Sequence, residues 1–208
     1  IGNGDGAITS YKPAKGFKVT CNLPPMHVEN VWGTCLVDFK MMRTINEGSV
    51  QVPGDWILGA RPHHYINEHP NFRMRHGHHM ILPDYVKNYT DLNCGHFATH
   101  YVANHLKCEE IHMHGFNSMF DMDLRSCTDL YLNSDRHNDN NLRLTDNWRP
   151  VWQSMFREFP DKQFVIYHHH KNIKFTVGDN VEIIICDIMS YLCAMYYMMA
   201  FNKPNEMI

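Results

Sequence analysis

Sixteen histidines stand among 208 residues, and histidine is the side chain whose proton comes and goes near neutral pH. His96 and His100 are spaced for one face of a helix, and His112 and His114 for one face of a strand. Either spacing can hold zinc. No carboxylate or cysteine completes a recognised ligand pattern with them and no HExxH is present, so hydrogen-bonded or exposed histidines are expected and no metal site is assigned. Asp121-Met122-Asp123 has the spacing of a divalent-metal site on a nucleotide diphosphate and is the weaker alternative. A second kind of chemistry is suggested by the run Ile1-Gly2-Asn3-Gly4-Asp5-Gly6. Glycines let backbone amides approach a phosphate or nucleobase closely. An ordinary glycine turn would read the same way, because the run is not GxGxxG.

The elements that must position these groups are legible as alternating strands and helices. Phe17–Asn22 reads as a strand stopped by Leu23-Pro24-Pro25. Thr34–Phe39 is the next strand, with a helix over Lys40–Asn46. Asp55–Ala60 is a further strand, ending at Arg61-Pro62. The basic, histidine-rich stretch Asn71–His79 reads as loop. Asn93-Cys94-Gly95 supplies a turn and a helix start. Phe97, Ala98, Tyr101, Val102 and Leu106 then fall mostly at helical spacing. Ile111, Met113 and Gly115 alternate with His112 and His114, as in a short strand. Asn133–Asn147 is polar and without apolar period, a long functional or mobile loop. Asn147–Phe159 is a helix with an aromatic core face, and Gln163–Tyr167 a buried strand running into three histidines. This alternation predicts an α/β fold: a single Rossmann-like domain over 1–208, with a mainly parallel sheet and helices on both faces. Ligands in such folds sit beyond the carboxyl ends of the strands.

The totals fit one domain with a real core. Net charge is −3 with histidine neutral, which argues against a broad nucleic-acid-binding face. Seven cysteines include no CxxC pair, a pattern that favours free thiols in a reducing, cytoplasmic setting. No signal-peptide pattern stands at the start. The chain opens directly on the glycine run, whereas a strand normally precedes such a loop, so residues upstream or a trimmed product are expected. Val181–Phe201 is almost wholly apolar and approaches the length of a membrane span. Asp187, Ser190 and the lack of flanking positive charge favour instead a strand over Glu182–Ile185, then a buried or self-associating helix. Membrane-surface association is the minority reading.

Gly2-Asn3-Gly4, Cys21-Asn22, Asn93-Cys94-Gly95, Glu110-Ile111 through Gly115, and Thr145-Asp146 occur in an order that resembles the bacterial sialyltransferases that use CMP-sialic acid. The likeness runs over residues 1–167 in short islands. It departs at Gly6 and Cys94, where the family has serines, at Arg61, where it has asparagine, and at Asn117, where it has aspartate. Asn141 occupies the place of the family's catalytic histidine, and His137 is the nearest histidine upstream.

The resemblance implies transfer of a sialic-acid-like sugar from a CMP-activated donor to a glycan hydroxyl, without metal and with no cofactor beyond the donor. It implies a histidine general base, His137, with His168 in reserve. Gly2, Asn3, Gly4, Asn22, Arg61, Cys94 and Gly95 would hold the nucleotide, with Arg61 or Arg136 facing the leaving phosphate. The alternatives are a non-catalytic nucleotide-binding protein, a transferase using a UDP- or GDP-sugar, and a metal-dependent enzyme using the histidine clusters.

Overall fold

A computed structural model describes residues 1–4, 6–12, 15–84, 92–119, 128, 141–168 and 177–186. Among the described residues seven strands form two sheets, and every strand pair in them is parallel. The first sheet has the order β1-β2-β3-β4, built from Lys18–Cys21, Val31–Leu36, Asp55–Leu58 and Met80–Ile81. The second has the order β5-β6-β7, built from Glu110–His114, Gln163–His168 and Val181–Ile185. The α/β class read from the sequence is therefore present, with parallel pairing throughout both sheets.

The segment Ile1–Gly4 ties the two sheets together. On one side, Ile1 N donates to Val19 O (2.6 Å) and Ile1 O accepts from Cys21 N (2.9 Å). On the other, Gly2 N donates to His114 O (2.6 Å) and Gly4 N to Gly115 O (3.1 Å). The segment thus bonds the edge strand β1 and the edge strand β5. Strand number rises outward from it in both directions.

Successive side chains of a strand point to opposite faces, and the first sheet uses both. Cys35 and Ile57 enter one core, with Phe97, Ala98 and Tyr101 of helix α5 (Cys94–His105). Leu36, Trp56 and Leu58 enter a second core. Helices α2 (Phe39–Asn46) and α3 (Ala60–Glu68) close that core with Met41, Met42, Ile45, Tyr65 and Ile66. The first core continues beneath the second sheet, where Met113, Phe164 and Ile166 meet Trp152, Met155 and Phe156 of helix α6 (Asn141–Glu158). A short helix α1 (Gly6–Ser10) follows the joining segment.

Two readings of the sequence need correction. The stretch Asn71–His79 is not a loop: helix α4 spans Pro70–His76 and a 3-10 turn follows over Gly77–His79. Pro70 presets the backbone angle of a first helical turn. Phe72 is buried between Trp56 and Tyr65, so tertiary packing through this one buried side chain holds the helix. The last helix begins at Asn141, not Asn147, and Thr145-Asp146 lies inside it. Smaller shifts concern β2, which ends at Leu36, and Arg61-Pro62, which sit in the first turn of α3.

Gly115 has φ +74, and a Cβ there would lie 2.6 Å from Ala7 Cβ and 2.9 Å from Gly4 O. Gly115→Ala is expected to lose about 2–4 kcal/mol of unfolding free energy, from left-handed strain plus overpacking. Gly77 has φ −59 and nothing within 4 Å of a Cβ. Gly77→Ala should change stability by no more than about 0.5 kcal/mol. Urea denaturation of the two variants checks both; equal stability would contradict the crowding of the joint.

Candidate functional site

The carboxyl ends of the joining segment, β1, β2 and β5 come together with the first turn of α5. Gly2 and Gly4 are there because nothing larger fits. A Cβ on Gly2 would overlap Gly115 O, and one on Gly4 would lie 2.8 Å from Asn117 Oδ1. Between them, Asn3 donates from Nδ2 to Thr128 Oγ1 (3.3 Å). The same hydroxyl accepts from Leu23 N (3.0 Å) and donates to Leu23 O (3.2 Å). One threonine hydroxyl, with a single proton and two lone pairs, is thereby saturated. It holds the joining segment to the residue that follows Asn22.

Asn22 leaves β1 in the left-handed region, φ 47, a conformation asparagine tolerates better than most residues. Its N–H donates to Cys35 O (2.9 Å). Its side chain is buried, and Nδ2 lies 3.5 Å from Asp38 Oδ2. Its Oδ1 is buried with no hydrogen-bond partner among the described residues. A buried polar atom left in this state costs about 1–3 kcal/mol. Arg61, half-exposed at the start of α3, reaches Asp38 Oδ1 at 3.9 Å. At that range and exposure the pair adds little stability.

The first turn of α5 is fixed by a reciprocal cap. Asn93 Oδ1 accepts from His96 N (2.8 Å), and His96 Nδ1 accepts from Asn93 N (3.4 Å). His96 Nε2 then carries the ring proton and donates to Trp148 O (3.2 Å). Both ring nitrogens are thus engaged. His100 Nε2 meets Glu158 Oε1 at 3.2 Å. Both members of the i,i+4 histidine pair of α5 are thus engaged with groups of α6. The strand pair is engaged as well: His112 bonds Glu110 and the Tyr167 hydroxyl, and His114 Nδ1 lies 3.1 Å from Ser10 Oγ. Among the described residues no group of three or more metal-ligating side chains converges.

Cys94 opens α5 over the ends of β1 and β2. Its thiol faces Cys35 O at 3.0 Å, and Cys21 Sγ lies 3.7 Å from Cys94 O. All three cysteines are buried and free. A hydrogen bond from Cys94 pushes the Cys21 thiol down, while burial pushes Cys35 and Cys94 up. Next in the chain, Gly95 faces Phe116: a Cβ would sit 3.0 Å from its ring.

The structure thus gathers Gly2, Asn3, Gly4, Asn22, Cys94 and Gly95 around one junction, with Arg61 joined through Asp38. Sequence reading missed Asp38 and Thr128 as members, and named Asn117 only as a departure from the resembled family. Asp38 could have been found, since it ends a strand-to-helix turn; nothing local marks Thr128. His168 is the last residue of β6, with 2% of its surface exposed. His137, Arg136 and Asp121-Met122-Asp123 lie outside the described residues. No protein-family model, curated protein or solved structure matches the chain.

Burial depresses the imidazole of His96 to about 3, and that of His114 to about 4, from 6.5. Between those values and 6.5 the unfolded chain binds protons that the folded chain refuses, so stability falls as pH falls below 6.5. Each histidine contributes a slope of up to about 1.4 kcal/mol per pH unit. His96→Gln keeps a capping-box residue at that position and should flatten the loss between pH 6.5 and 5 by about one such slope. Urea titrations at half-unit pH steps check it; an unchanged slope would mean that His96 is protonated in the fold.

Proposed function

We propose that the chain is a glycosyltransferase that binds a CMP-activated, sialic-acid-like sugar at the junction of the two sheets and transfers the sugar to a glycan hydroxyl. In this reading the two parallel sheets and the joining segment act as one Rossmann-like domain. The segment stands at the point where strand order reverses, the place where open α/β sheets take ligands. The observation that carries the proposal is the joint itself. Glycines without room for a side chain bring the backbone of residues 2–4 to the carboxyl ends, beside a buried Asn22 carboxamide whose oxygen has no partner among the described residues.

In the proposed reaction the acceptor hydroxyl attacks the anomeric carbon, its proton passes to a histidine, and CMP leaves. His137 is the proposed base, since histidine titrates near neutral pH. The 2% exposure of His168 makes it the poorer base for an acceptor arriving from solvent. Backbone amides of the joining segment and the first turn of α5 stabilise the departing phosphate, aided by the positive end of the helix. Arg61 adds charge, and Asn3 and Asn22 hold the nucleoside. No metal is required of this site. A reducing, cytoplasmic setting fits free Cys21, Cys35 and Cys94. Among the described residues no helix is long and apolar enough to cross a membrane. Self-association or membrane-surface contact is assigned to the apolar run after Cys186.

Isothermal titration against CMP, UDP and GDP, with and without magnesium, tests the binding step. CMP is expected to bind best, with no metal dependence. Asn22→Ala should weaken it by about tenfold, the worth of one hydrogen bond to a buried group. Transfer from a CMP-sugar should fall about 10²–10⁴-fold in His137→Gln with nucleotide affinity nearly unchanged. Full activity in that variant removes His137 from the mechanism. CMP binding without turnover in the wild type leaves a binding protein instead of an enzyme.

A further inference from the structure

Three thiols from three elements meet beneath the junction: Cys21 ends β1, Cys35 is its register partner in β2, and Cys94 begins α5. The nucleotide reading uses Cys94 only as backbone and leaves the sulfurs without a role. Two of them are set up for chemistry with each other. Cys21 Sγ lies 3.7 Å from the carbonyl oxygen of Cys94, against the first turn of α5. The Cys94 thiol in turn faces the carbonyl oxygen of Cys35, the register partner of Cys21, at 3.0 Å. Cys94 as a neighbour pushes the Cys21 thiol down, which favours its thiolate, the form that reacts. Cys94 occupies the first helical residue, a place where local opening costs less than global unfolding and lets a small oxidant in.

We propose that Cys21 and Cys94 are a redox pair, which a peroxide closes into a disulfide that locks the first turn of α5 onto the carboxyl end of β1. The Cys21 thiolate attacks the peroxide, the O–O bond breaks, and a sulfenic acid and one water form. The Cys94 sulfur then attacks the sulfenic sulfur. The S–S bond forms, the S–O bond breaks and a second water leaves. The two thiols have given two electrons to one peroxide. The bond draws together two residues that stand directly before Asn22 and Gly95. Its effect on ligand binding rests on the nucleotide reading; its formation does not.

The test exposes reduced full-length protein to hydrogen peroxide, alkylates the remaining thiols and maps the digest by mass. The expected result is a linked peptide pair holding Cys21 and Cys94, lost on treatment with dithiothreitol. The closed loop joins residues 73 apart in the chain, so the melting temperature should rise by about 10 °C. Cys94→Ser should abolish both changes, while Cys35→Ser keeps them. Linkage of Cys21 to Cys35, oxidation that stops at sulfinic acid, or a linked protein with an unchanged melting temperature would each overturn the proposal. In the oxidised protein CMP affinity should fall about tenfold, and equal affinity in both states would refute the coupling. If the reduced protein binds no CMP, the nucleotide reading falls. The mass map and the melting shift still judge the disulfide.

Discussion

The fold depends on four backbone hydrogen bonds made by one short segment. Ile1 exchanges two with β1, and Gly2 and Gly4 give one each to the end of β5. A buried amide or carbonyl left unmade costs about as much as a lost hydrogen bond, so the facing edges of β1 and β5 both need this partner. The segment must also approach β5 without side chains, and Gly115 must turn at φ +74 to receive it. Sequence, local geometry and sheet assembly are coupled at this joint.

The same joint decides where chemistry can happen. Parallel strands all present their carboxyl ends on one side, and the chain must leave each of them there. Asn22, Asp38 and Gly115–Asn117 therefore gather with the first turn of α5. Thr128 fastens the gathering by serving Asn3 and Leu23 with one hydroxyl. The histidine-capped start of α5 presses from the side, with the Trp152 ring tilted against His96 at 4.3 Å. Burial keeps that histidine neutral in the fold, so stability falls as pH drops into the range where the unfolded chain takes up protons.

Much of this was legible in residue order. The helix Cys94–His105 followed by the strand Glu110–His114 stands close to where apolar spacing places it, because Phe97, Tyr101, Ile111 and Met113 face a core. The glycine run was recognisable as a place of close backbone approach. That it joins two sheets was not, because a segment this short has no periodicity. Helix α4 was hidden because one buried residue, Phe72, anchors it amid arginines, a histidine and an exposed Met74. The start of α6 was misplaced because Pro150 suits a first turn, yet the helix carries it in its interior. Thr128 could not be found from sequence, since its role comes only from bonds to residues more than a hundred positions away.

The central claim is that ligand binding belongs to the carboxyl end of the joint. The most direct measurement is a titration of the isotope-labelled protein with CMP, followed through its backbone amide resonances. The account predicts shifts concentrated at Gly4, Asn22, Gly95, Gly115 and Phe116. Shifts concentrated at the opposite end of the strands, around Gly33, Gly54 and Glu110, would contradict it.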